Sequence, residues 1–554
     1  MKKSIIIIGS VILMNSCLNN STKQNSKNEN KVKEDEKANI IVILADDMGY
    51  SDIGCYGGEI QTPNIDSLGN AGIRFTQFYN SSRCCPSRAS LLTGVYSHNT
   101  GMGWMTASNL GEPGYTGDLN NQCITIPQLL KKGGYQTYMS GKWHVTHEEF
   151  TKENASKHNW PLQRGFDRFF GTIKGGGDYF DPPSLTVDNQ QIDAPKGFYY
   201  TDAISDSAAA YINYHHQKHQ GSPFFMYVAY TAPHWPLHAK PEDIKKYMGK
   251  YMKGWDSLRV ERYLRMLELG ILDTNAMLPV RDPEVPSWES QSDEEKKWWD
   301  MRMAIYAAQM DCMDKGIGRI TKTLKTTSQF ENTIILFLSD NGACDEAIPD
   351  LAKSKKFEDL GTKKSFETYR KPWANYSNTP FRYYKSTEYE GGIRTPLIIS
   401  WPQHVKAPFI SNQIGHIVDF FPTFMDIAKV EYPESFDGKE LTPLQGKSLI
   451  PLIEGHNREC APLFWEHEAC RAVRQGDWKL VSLPGDSPDY KGEWELYNLA
   501  KDPTETNNLA EEHPDKLKEI SKLWNTWAES NKVYPLNGMG WNERIQMDVQ
   551  DEVE

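Results

Sequence analysis

Short apolar runs that end abruptly in polar residues recur along the chain. The four clearest runs occupy residues 39–44, 135–139, 224–229 and 333–338. Continuous apolar runs of this length, rich in β-branched side chains, are typical of strands buried on both faces of a parallel sheet. The polar residues that follow them include Asp46, Asp47, Lys142, His144, His234, Asp340 and Asn341. Because open α/β sheets bind ligands at the carboxyl ends of their strands, these side chains predict one shared site.

Helical patterns lie between these runs. Apolar residues recur at helical spacing in residues 123–132, 205–218 and 301–325. The alternation of strands and helices predicts an α/β fold in which helices sandwich a large, mostly parallel sheet.

The sequence pattern changes near residue 430. From there on the predicted helices and strands are shorter and predicted turns are more frequent. Strand patterns at 478–482 and 493–497 and a helical pattern at 515–530 predict a smaller α+β subdomain with a short antiparallel sheet. We therefore divide this part of the chain into a main domain at 38–430, a C-terminal subdomain at 431–545 and a tail at 546–554.

The N-terminus has the pattern of an export signal. Two lysines precede an apolar run at 5–14 that is too short to span a bilayer, and Cys17 follows it. This arrangement resembles a bacterial lipoprotein signal at 1–17 that ends at a lipidated Cys17, and the polar residues 18–37 predict a flexible tether. The alternative is an ordinary signal peptide with a coincidental cysteine. Both predict export, and the first predicts a lipid anchor on a bacterial membrane, in the periplasm or at the cell surface.

Charge and composition narrow the classes of partner. Of 554 residues, 39% are hydrophobic, which is enough for a sizeable core, and the formal net charge is −12. This balance argues against a nucleic-acid partner, since phosphates attract clustered lysine and arginine. An anionic substrate would need a local basic pocket. The nine scattered cysteines show neither the density of a disulfide scaffold nor zinc-ligand spacing.

One cysteine lies at a predicted helix start. Cys84 precedes Pro86 in the first turn of a helix that ends near Gly94. A helix N-terminus presents free N–H groups and a positive partial charge, which suit a sulfate or phosphate oxygen. The motif Cys-x-Pro-Ser-Arg, followed by Leu-Thr-Gly, resembles the signature of the formylglycine-dependent type I sulfatases, which are arylsulfatase-like enzymes with an alkaline phosphatase-like fold.

The resemblance implies that a sulfatase-maturating enzyme oxidises Cys84 to the aldehyde 3-oxoalanine, also called formylglycine, and leaves Cys85 unmodified. An aldehyde hydrate carries two hydroxyl groups. One attacks sulfur, and deprotonation of the other later expels sulfate and regenerates the aldehyde. The expected activity is therefore hydrolysis of sulfuric esters, and the expected substrate is an O-sulfate on a host or dietary glycan.

Oxygen donors at the strand ends predict a metal site. Asp46, Asp47, Asp340 and Asn341 offer the ligands that hard divalent cations select, and Ca²⁺ tolerates irregular geometry better than Mg²⁺. The segments Leu-Ala-Asp-Asp-Met-Gly and Ser-Asp-Asn-Gly resemble those that supply the sulfatase calcium ligands. The resemblance implies that the modified Cys84 completes this shell.

Five cationic positions match the family motifs and would form the required basic pocket. The resemblance implies that Arg88 orients the hydrate and the metal ligands, and that Lys142 bridges sulfate and nucleophile. It further implies that His144 accepts a proton during sulfate release, and that His234, with Lys385, protonates the leaving oxygen.

Two other functions fit parts of the pattern. A phosphonate or phosphate ester hydrolase could use the same aldehyde on the same fold, and a glycan-binding lipoprotein could keep the fold without turnover. The segment 250–288 resembles an insertion found in bacterial arylsulfatase-like enzymes, and we interpret the tryptophans near it as structural rather than as a sugar-binding rim. They are Trp255, Trp288, Trp298 and Trp299.

Overall fold

An eleven-stranded sheet organises the part of the chain that the computed structural model describes, namely residues 37–147, 155–348, 351 and 354–547. The predicted signal peptide with Cys17, residues 18–36 of the predicted tether and residues 548–554 of the predicted tail lie outside the described residues. The strands of the sheet are β1 (Asn39–Ala45), β2 (Ile73–Tyr79), β3 (Gln136–Lys142), β4 (Arg168–Thr172), β5 (Leu185–Val187), β6 (Gln190–Gln191), β7 (Phe224–Ala229), β8 (Thr333–Ser339), β9 (Arg394–Ser400), β10 (Phe409–Ser411) and β11 (Gly415–His416).

The four predicted strands are neighbours in this sheet. The strand order is β10-β2-β9-β8-β1-β7-β3-β4-β5-β6, with β11 also beside β2. Strands β8, β1, β7 and β3 run parallel, and Leu44 pairs with both Ala229 and Leu338. The carboxyl ends of these strands therefore lie at one edge, as the sequence predicted.

Two details of the sheet differ from the sequence pattern. Strand β9 runs antiparallel to both β2 and β8, so the sheet is mixed although mostly parallel. Strand β3 continues beyond the predicted run at 135–139, because Gly141 and Lys142 still pair with Gly171 and Thr172 of β4. Lys142 is therefore the last residue of the strand.

Helices cover both faces of the sheet. They are α1 (Pro63–Ala71), α2 (Cys84–Thr93), α3 (Ile126–Lys132), α4 (Tyr200–Lys218), α5 (Pro241–Ile244), α6 (Gly254–Glu268), α7 (Asp293–Thr326), α8 (Arg370–Ser377), α9 (Glu390–Ile393), α10 (Phe420–Ala428), α11 (Ile450–Ile453), α12 (Pro514–Ser530) and α13 (Trp541–Gln546). Since successive side chains of a strand point to opposite faces, Ile41 and Ile43 of β1 pack with α1, α4 and α7. Val42 and Leu44 pack with α2, α3 and α10 on the other face. The predicted α/β sandwich is confirmed.

Helix α7 begins eight residues before the predicted helical segment at 301–325. The hydroxyl of Ser292 accepts a hydrogen bond from the main-chain N–H of Glu295, and the Glu295 carboxylate accepts one from Ser292 N–H at 2.8 Å. This capping box stabilises an N-terminus that the apolar spacing alone does not indicate. No helix among the described residues is both long and apolar enough to cross a membrane.

A smaller antiparallel sheet follows the main sheet. Its strands are β14 (Leu463–His467), β15 (Cys470–Gln475), β16 (Trp478–Ser482) and β17 (Glu495–Asn498), and they come after a two-stranded pair, β12 (Ser435–Phe436) with β13 (Lys439–Glu440). Trp524 and Trp527 of α12 pack on Val473 and Leu480. The predicted antiparallel sheet is present, while the domain boundaries at 38–430 and 431–545 stay a prediction.

Of the four tryptophans near the insertion, Trp255 and Trp288 are buried, and Trp298 and Trp299 are partly buried. Trp255 is 0% exposed, and its ring contacts those of Trp288, Trp299 and Trp373 edge-on at centroid distances of 4.8, 5.4 and 5.5 Å. Edge-to-face contacts of this kind stabilise aromatic cores. The structural interpretation of Trp255 and Trp288 is therefore confirmed.

Candidate active site

Most of the predicted site residues lie at one edge of the main sheet. Asp46 and Asp47 follow β1, and Asp340 and Asn341 follow β8. Lys142 ends β3, His144 lies two residues later, and His234 follows β7. Cys84 is the first residue of α2, Arg88 lies one turn further along it, and Lys385 lies in the loop between α8 and α9.

The oxygen donors form a buried cluster. Asp47 donates its main-chain N–H to Asp340 Oδ1 at 3.2 Å and accepts from Asn341 Nδ2 at its Oδ1 atom at 2.7 Å. Asp47 has φ 63°, a left-handed conformation that is uncommon outside glycine and that recurs at functional sites. The fold therefore holds these side chains in a fixed arrangement.

Two oxygens of this cluster suit a cation. Asp46 Oδ1 and Asn341 Oδ1 are buried without a hydrogen-bond partner. Buried polar atoms are nearly always paired in proteins, so an unpaired carboxylate oxygen beside an unpaired amide oxygen indicates a ligand site. Carboxylate and amide oxygens are the ligands of Ca²⁺ and Mg²⁺. The residues present therefore fit the predicted metal.

Two cations lie against the same carboxylates. Lys142 Nζ lies 2.7 Å from Asp46 Oδ2, and Arg88 Nη2 lies 2.8 Å from Asp340 Oδ2 and 3.4 Å from Asp46 Oδ2. Burial by itself would raise the pKa of Asp46, but Lys142, His234 and Arg88 outweigh it and lower the pKa to about 2. Burial and the neighbouring charge of Asp46 raise the pKa of Asp340. A divalent cation would keep both carboxylates ionised.

Cys84 faces His144 from the start of α2. Its Sγ atom lies 3.5 Å from His144 Nδ1, and the other ring nitrogen of His144 lies 3.2 Å from Cys85 Sγ. A hydrogen bond from the Cys85 thiol lowers the pKa of Cys84 well below its usual range, and Lys142 and His144 lower it further against the effect of burial. The site thus favours negative charge at residue 84.

A glycine run fixes the position of His144. His144 has φ 55°, and a Cβ atom at Gly175 would lie 2.0 Å from His144 Cε1. A Cβ atom at Gly176 would lie 3.4 Å from Cε1 of the other histidine, His234. The loop therefore packs closely against the His144 ring because Gly175 has no side chain, whereas a Cβ atom at Gly176 would make only an ordinary contact with His234.

His234 and Lys385 share one carboxylate oxygen. Lys385 Nζ lies 2.8 Å and His234 Nε2 3.4 Å from Asp47 Oδ2. His234 Nδ1 lies 2.6 Å from the carbonyl oxygen of Trp235, which leaves Nε2 as the ring nitrogen that faces the carboxylate. Burial lowers the pKa of His234, although Asp47 and Asp46 act in the opposite direction.

All ten predicted site residues therefore lie in one buried region. Sequence reasoning missed Cys85, Gly175 and Trp235, which contact His144 or His234, and Glu346, which bonds Trp235. The run of three glycines at 175–177 is a signal that would have pointed to a close approach of the backbone. Glu346 carries no such signal, since its contacts join segments that are far apart in the sequence.

These features define a class of protein. A nucleophile position at a helix N-terminus, a set of oxygen ligands for a cation and fixed positive charges around them are the components of a hydrolase for anionic esters.

Comparisons with known proteins identify the family. A model of the sulfatase family matches residues 38–430, and a model of the N-sulphoglucosamine sulphohydrolase C-terminal region matches residues 381–532. An uncharacterized sulfatase of Schizosaccharomyces pombe is 35% identical over 89% of this chain and 94% of its own length. An arylsulfatase of Klebsiella aerogenes is 34% identical over 75% of this chain and 92% of its own length.

A solved structure has the same architecture. It is a complex with the substrate D-glucosamine-2-N,6-O-disulfate and is 27% identical, with a TM-score of 0.59 over 90% of this chain and 99% of that chain. The chain described here belongs to the sulfatase family and has its alkaline phosphatase-like fold. It is a sulfuric ester hydrolase.

Proposed function

We propose that this sulfatase hydrolyses an O-sulfate of a glycan through an aldehyde hydrate formed from Cys84. The observation that carries the proposal is the place of Cys84, which begins α2 with its Sγ 3.5 Å from His144 Nδ1 and is influenced by the charge of Lys142. When present, the hydrated aldehyde supplies a hydroxyl nucleophile and a second hydroxyl whose deprotonation releases sulfate.

Ca²⁺ is the proposed metal, in preference to Mg²⁺. Asp46, Asp47, Asp340 and Asn341 would hold it together with the modified residue 84, and the unpaired oxygens of Asp46 and Asn341 support this assignment. When bound, the ion supplies positive charge that stabilises a sulfate oxygen and acidifies the nucleophilic hydroxyl.

The cationic residues have distinct proposed tasks. Arg88 orients the carboxylates of Asp46 and Asp340, which it contacts directly. Lys142, held by Asp46, lies beside residue 84 and would neutralise charge that develops between sulfate and nucleophile. Both side chains are fully buried, so their charges are weakly screened.

The two histidines serve the two halves of the reaction. His144 contacts residue 84 and accepts its proton when sulfate is released. His234, whose Nε2 atom and Lys385 Nζ meet at Asp47, donates a proton to the leaving oxygen. Their different neighbours support this division.

The substrate class rests on the relatives. An arylsulfatase and a protein solved with a sulfated glucosamine are similar to this chain over most of its length. A saccharide sulfate of host or dietary origin is the proposed substrate, and export with a lipid anchor at Cys17 would bring the enzyme to such glycans outside the cytoplasm. A sulfatase-maturating enzyme is the proposed partner that modifies Cys84.

Intact-peptide mass spectrometry tests the proposal. Protein made together with a maturating enzyme should carry an aldehyde at residue 84 and hydrolyse sulfated saccharides, whereas Cys84→Ala should be inactive. Cys85→Ala is the matched control and should still carry the aldehyde. Active enzyme with only an unmodified thiol at residue 84 would contradict the mechanism. Parallel assays on matched aryl sulfates, phosphates and phosphonates would show whether sulfate is preferred.

A further inference from the structure

One carboxylate joins three segments that carry proposed active-site residues. Glu346 Oε1 accepts a hydrogen bond from Arg83 Nη1 at 2.6 Å, and Glu346 Oε2 accepts one from Trp235 Nε1 at 2.7 Å. Arg83 Nη1 also donates to Ser386 Oγ at 2.6 Å. The bonded network therefore comprises Arg83, Trp235, Glu346 and Ser386, and we call it the rim network.

Each other member of the rim network adjoins a proposed active-site residue in the sequence. Arg83 precedes Cys84, Trp235 follows His234, and Ser386 follows Lys385. The rim-network residues are half-buried, whereas their three neighbours are buried. The rim network thus lies one residue outward from the side chains to which we assign the chemistry.

The contacts of Trp235 explain how the network reaches His234. The carbonyl oxygen of Trp235 lies 2.6 Å from His234 Nδ1, and the two rings are 4.5 Å apart between centroids. The orientation of His234 therefore depends on the position of Trp235, which the Glu346 carboxylate holds through the indole N–H.

The main chain of Glu346 is anchored as well. Its carbonyl oxygen accepts a hydrogen bond from Thr368 Oγ1 at 2.6 Å, and Glu346 lies only five residues after Asn341 in the loop beyond β8. Burial by itself would raise the pKa of Glu346, but the charges of Arg83 and Lys385 outweigh it and lower the pKa of this carboxyl. Glu346 is thus an ionised group fixed on the loop that carries two proposed metal ligands.

We infer that Glu346 is a positioning residue, which sets the distance between the nucleophile at residue 84 and the proton donor His234 by holding Arg83 and Trp235 together. The inference rests on the proposed function. Alignment of the donor matters most when the leaving oxygen is strongly basic, because an acidic phenol leaves without a proton. Glu346 should therefore affect substrates according to their leaving groups.

A series of phenyl sulfates, whose phenols span a range of acidity, provides the measurement. For Glu346→Gln we expect kcat to fall about tenfold on the least acidic phenol and less than about threefold on 4-nitrophenyl sulfate, with KM within about twofold. The plot of log kcat against phenol pKa should become steeper. A uniform loss of kcat across the series would overturn the inference.

Asp188→Asn is the matched control. Asp188 is a half-buried carboxylate that accepts hydrogen bonds from Arg168 Nε at 3.2 Å and from the main-chain N–H of Phe169 at 3.0 Å, and neither partner adjoins a proposed active-site residue in the sequence. Asp188→Asn should lower thermal stability without changing the slope of the plot. An equal change of slope in Asp188→Asn would assign the effect to general loosening of the fold and overturn the inference.

Trp235→Phe gives a second test because phenylalanine keeps an aromatic ring beside His234 but cannot donate the hydrogen bond to Glu346. It should steepen the same plot, and combining it with Glu346→Gln should add little, since Trp235→Phe already removes the bond through which Glu346 holds Trp235. If Glu346→Gln does not fold, Trp235→Phe carries the test, and a wild-type slope in that variant overturns the inference. Wild-type enzyme that carries the aldehyde but hydrolyses neither this series nor sulfated saccharides would instead contradict the proposed function.

Discussion

Two clusters of buried charge differ in how completely their carboxylates are paired. The strand-end cluster comprises Asp46, Asp47, Arg88, Lys142, Asp340 and Asn341. The junction cluster comprises Tyr79, Glu390, Arg394, Lys479 and Glu505 and connects the main sheet to the C-terminal sheet. In the junction cluster, Glu390 Oε1 contacts Lys479 at 2.9 Å, and Oε2 contacts Tyr79 at 2.8 Å and Arg394 at 3.1 Å.

In the junction cluster both oxygens of Glu390 are hydrogen-bonded, and Glu505 Oε1, which has no hydrogen bond, lies 2.8 Å from Lys479 Nζ. In the strand-end cluster Asp46 Oδ1 and Asn341 Oδ1 have no hydrogen-bond partner in the protein. A buried ionic group that is completely paired holds two elements together, whereas one with unpaired oxygens is suited to a ligand. The comparison separates buried charge that stabilises the fold from buried charge that serves the reaction.

Asp340→Asn should give the largest effect on activity. The substitution keeps the shape of the side chain but removes one of the carboxylates proposed to hold Ca²⁺, so kcat/KM should fall about a thousandfold. Wild-type protein should gain thermal stability when Ca²⁺ is added, and the variant should not. Calorimetric titration with Ca²⁺ and thermal unfolding check both points. Full activity of the variant in a chelator would show that the metal site is assigned wrongly.

Substitutions of His234 and His144 should differ in how their effect on kcat depends on the leaving group of the substrate. His234→Ala should lower kcat on sugar sulfates by about a hundredfold or more, because an alkoxide needs a proton to leave, and by less on aryl sulfates. His144→Ala should slow both classes similarly, since sulfate release is common to them. Steady-state kinetics on matched sugar and aryl sulfates provide the measurement. Equal losses for both variants on both classes would mean that the roles are assigned wrongly.

Glu390→Gln should lower stability and leave the chemistry intact. The substitution leaves Lys479 and Arg394 without their full partner in a buried place, at a cost of about 3–5 kcal/mol in the free energy of unfolding. Denaturant unfolding measures this cost, and kcat per folded molecule should match the wild type. If added Ca²⁺ changed the stability of Glu390→Gln by a different amount from that of the wild type, the junction cluster would also affect the metal site, and the two clusters would not have separate roles.

The smallest expected effect is a change of stability with pH that depends on Glu505. Burial, with the charge of Glu390, raises the pKa of Glu505 from its ordinary value of 4.5 to about 7. A carboxyl with a raised pKa in the folded state contributes stability that is fully present below pH 4.5 and is lost as the pH rises towards 7. Glu505→Gln lacks this loss, so its stability relative to wild type should improve over that range by at most about 3 kcal/mol.

Thermal unfolding at several pH values checks this expectation. Glu529→Gln, which removes an exposed carboxylate of α12, is the control and should follow the wild type. A Glu505→Gln protein whose difference in stability from wild type does not change with pH would show that folding does not raise the pKa of Glu505.

Local patterns in the sequence predicted the architecture and eight of the ten residues of the candidate site, while Arg88 and Lys385 came from the resemblance to family motifs. Each of the four central strands is an uninterrupted apolar run, and each polar residue after it lies within a few positions of the strand end. Such features depend on neighbours in the chain, which is why the carboxylates after β1 and β8 and the lysine that ends β3 were predicted correctly to lie together. The resemblance of Cys84 and its motif to a known family added the expected chemistry.

The tertiary structure alone decided the contacts between distant segments. Neighbouring residues in the sequence do not indicate three of these features. They are the antiparallel direction of β9, the approach of Cys85 to His144 and the hydrogen bonds of Glu346. Arg83 and Glu346 are separated by 263 positions, and Trp235 and Glu346 by 111. Their meeting depends on how the sheet orders its strands and where its loops return. The sequence by itself determined which groups lie at the strand ends, and packing determined which of them touch, because only the folded chain fixes distances between residues that are far apart along it.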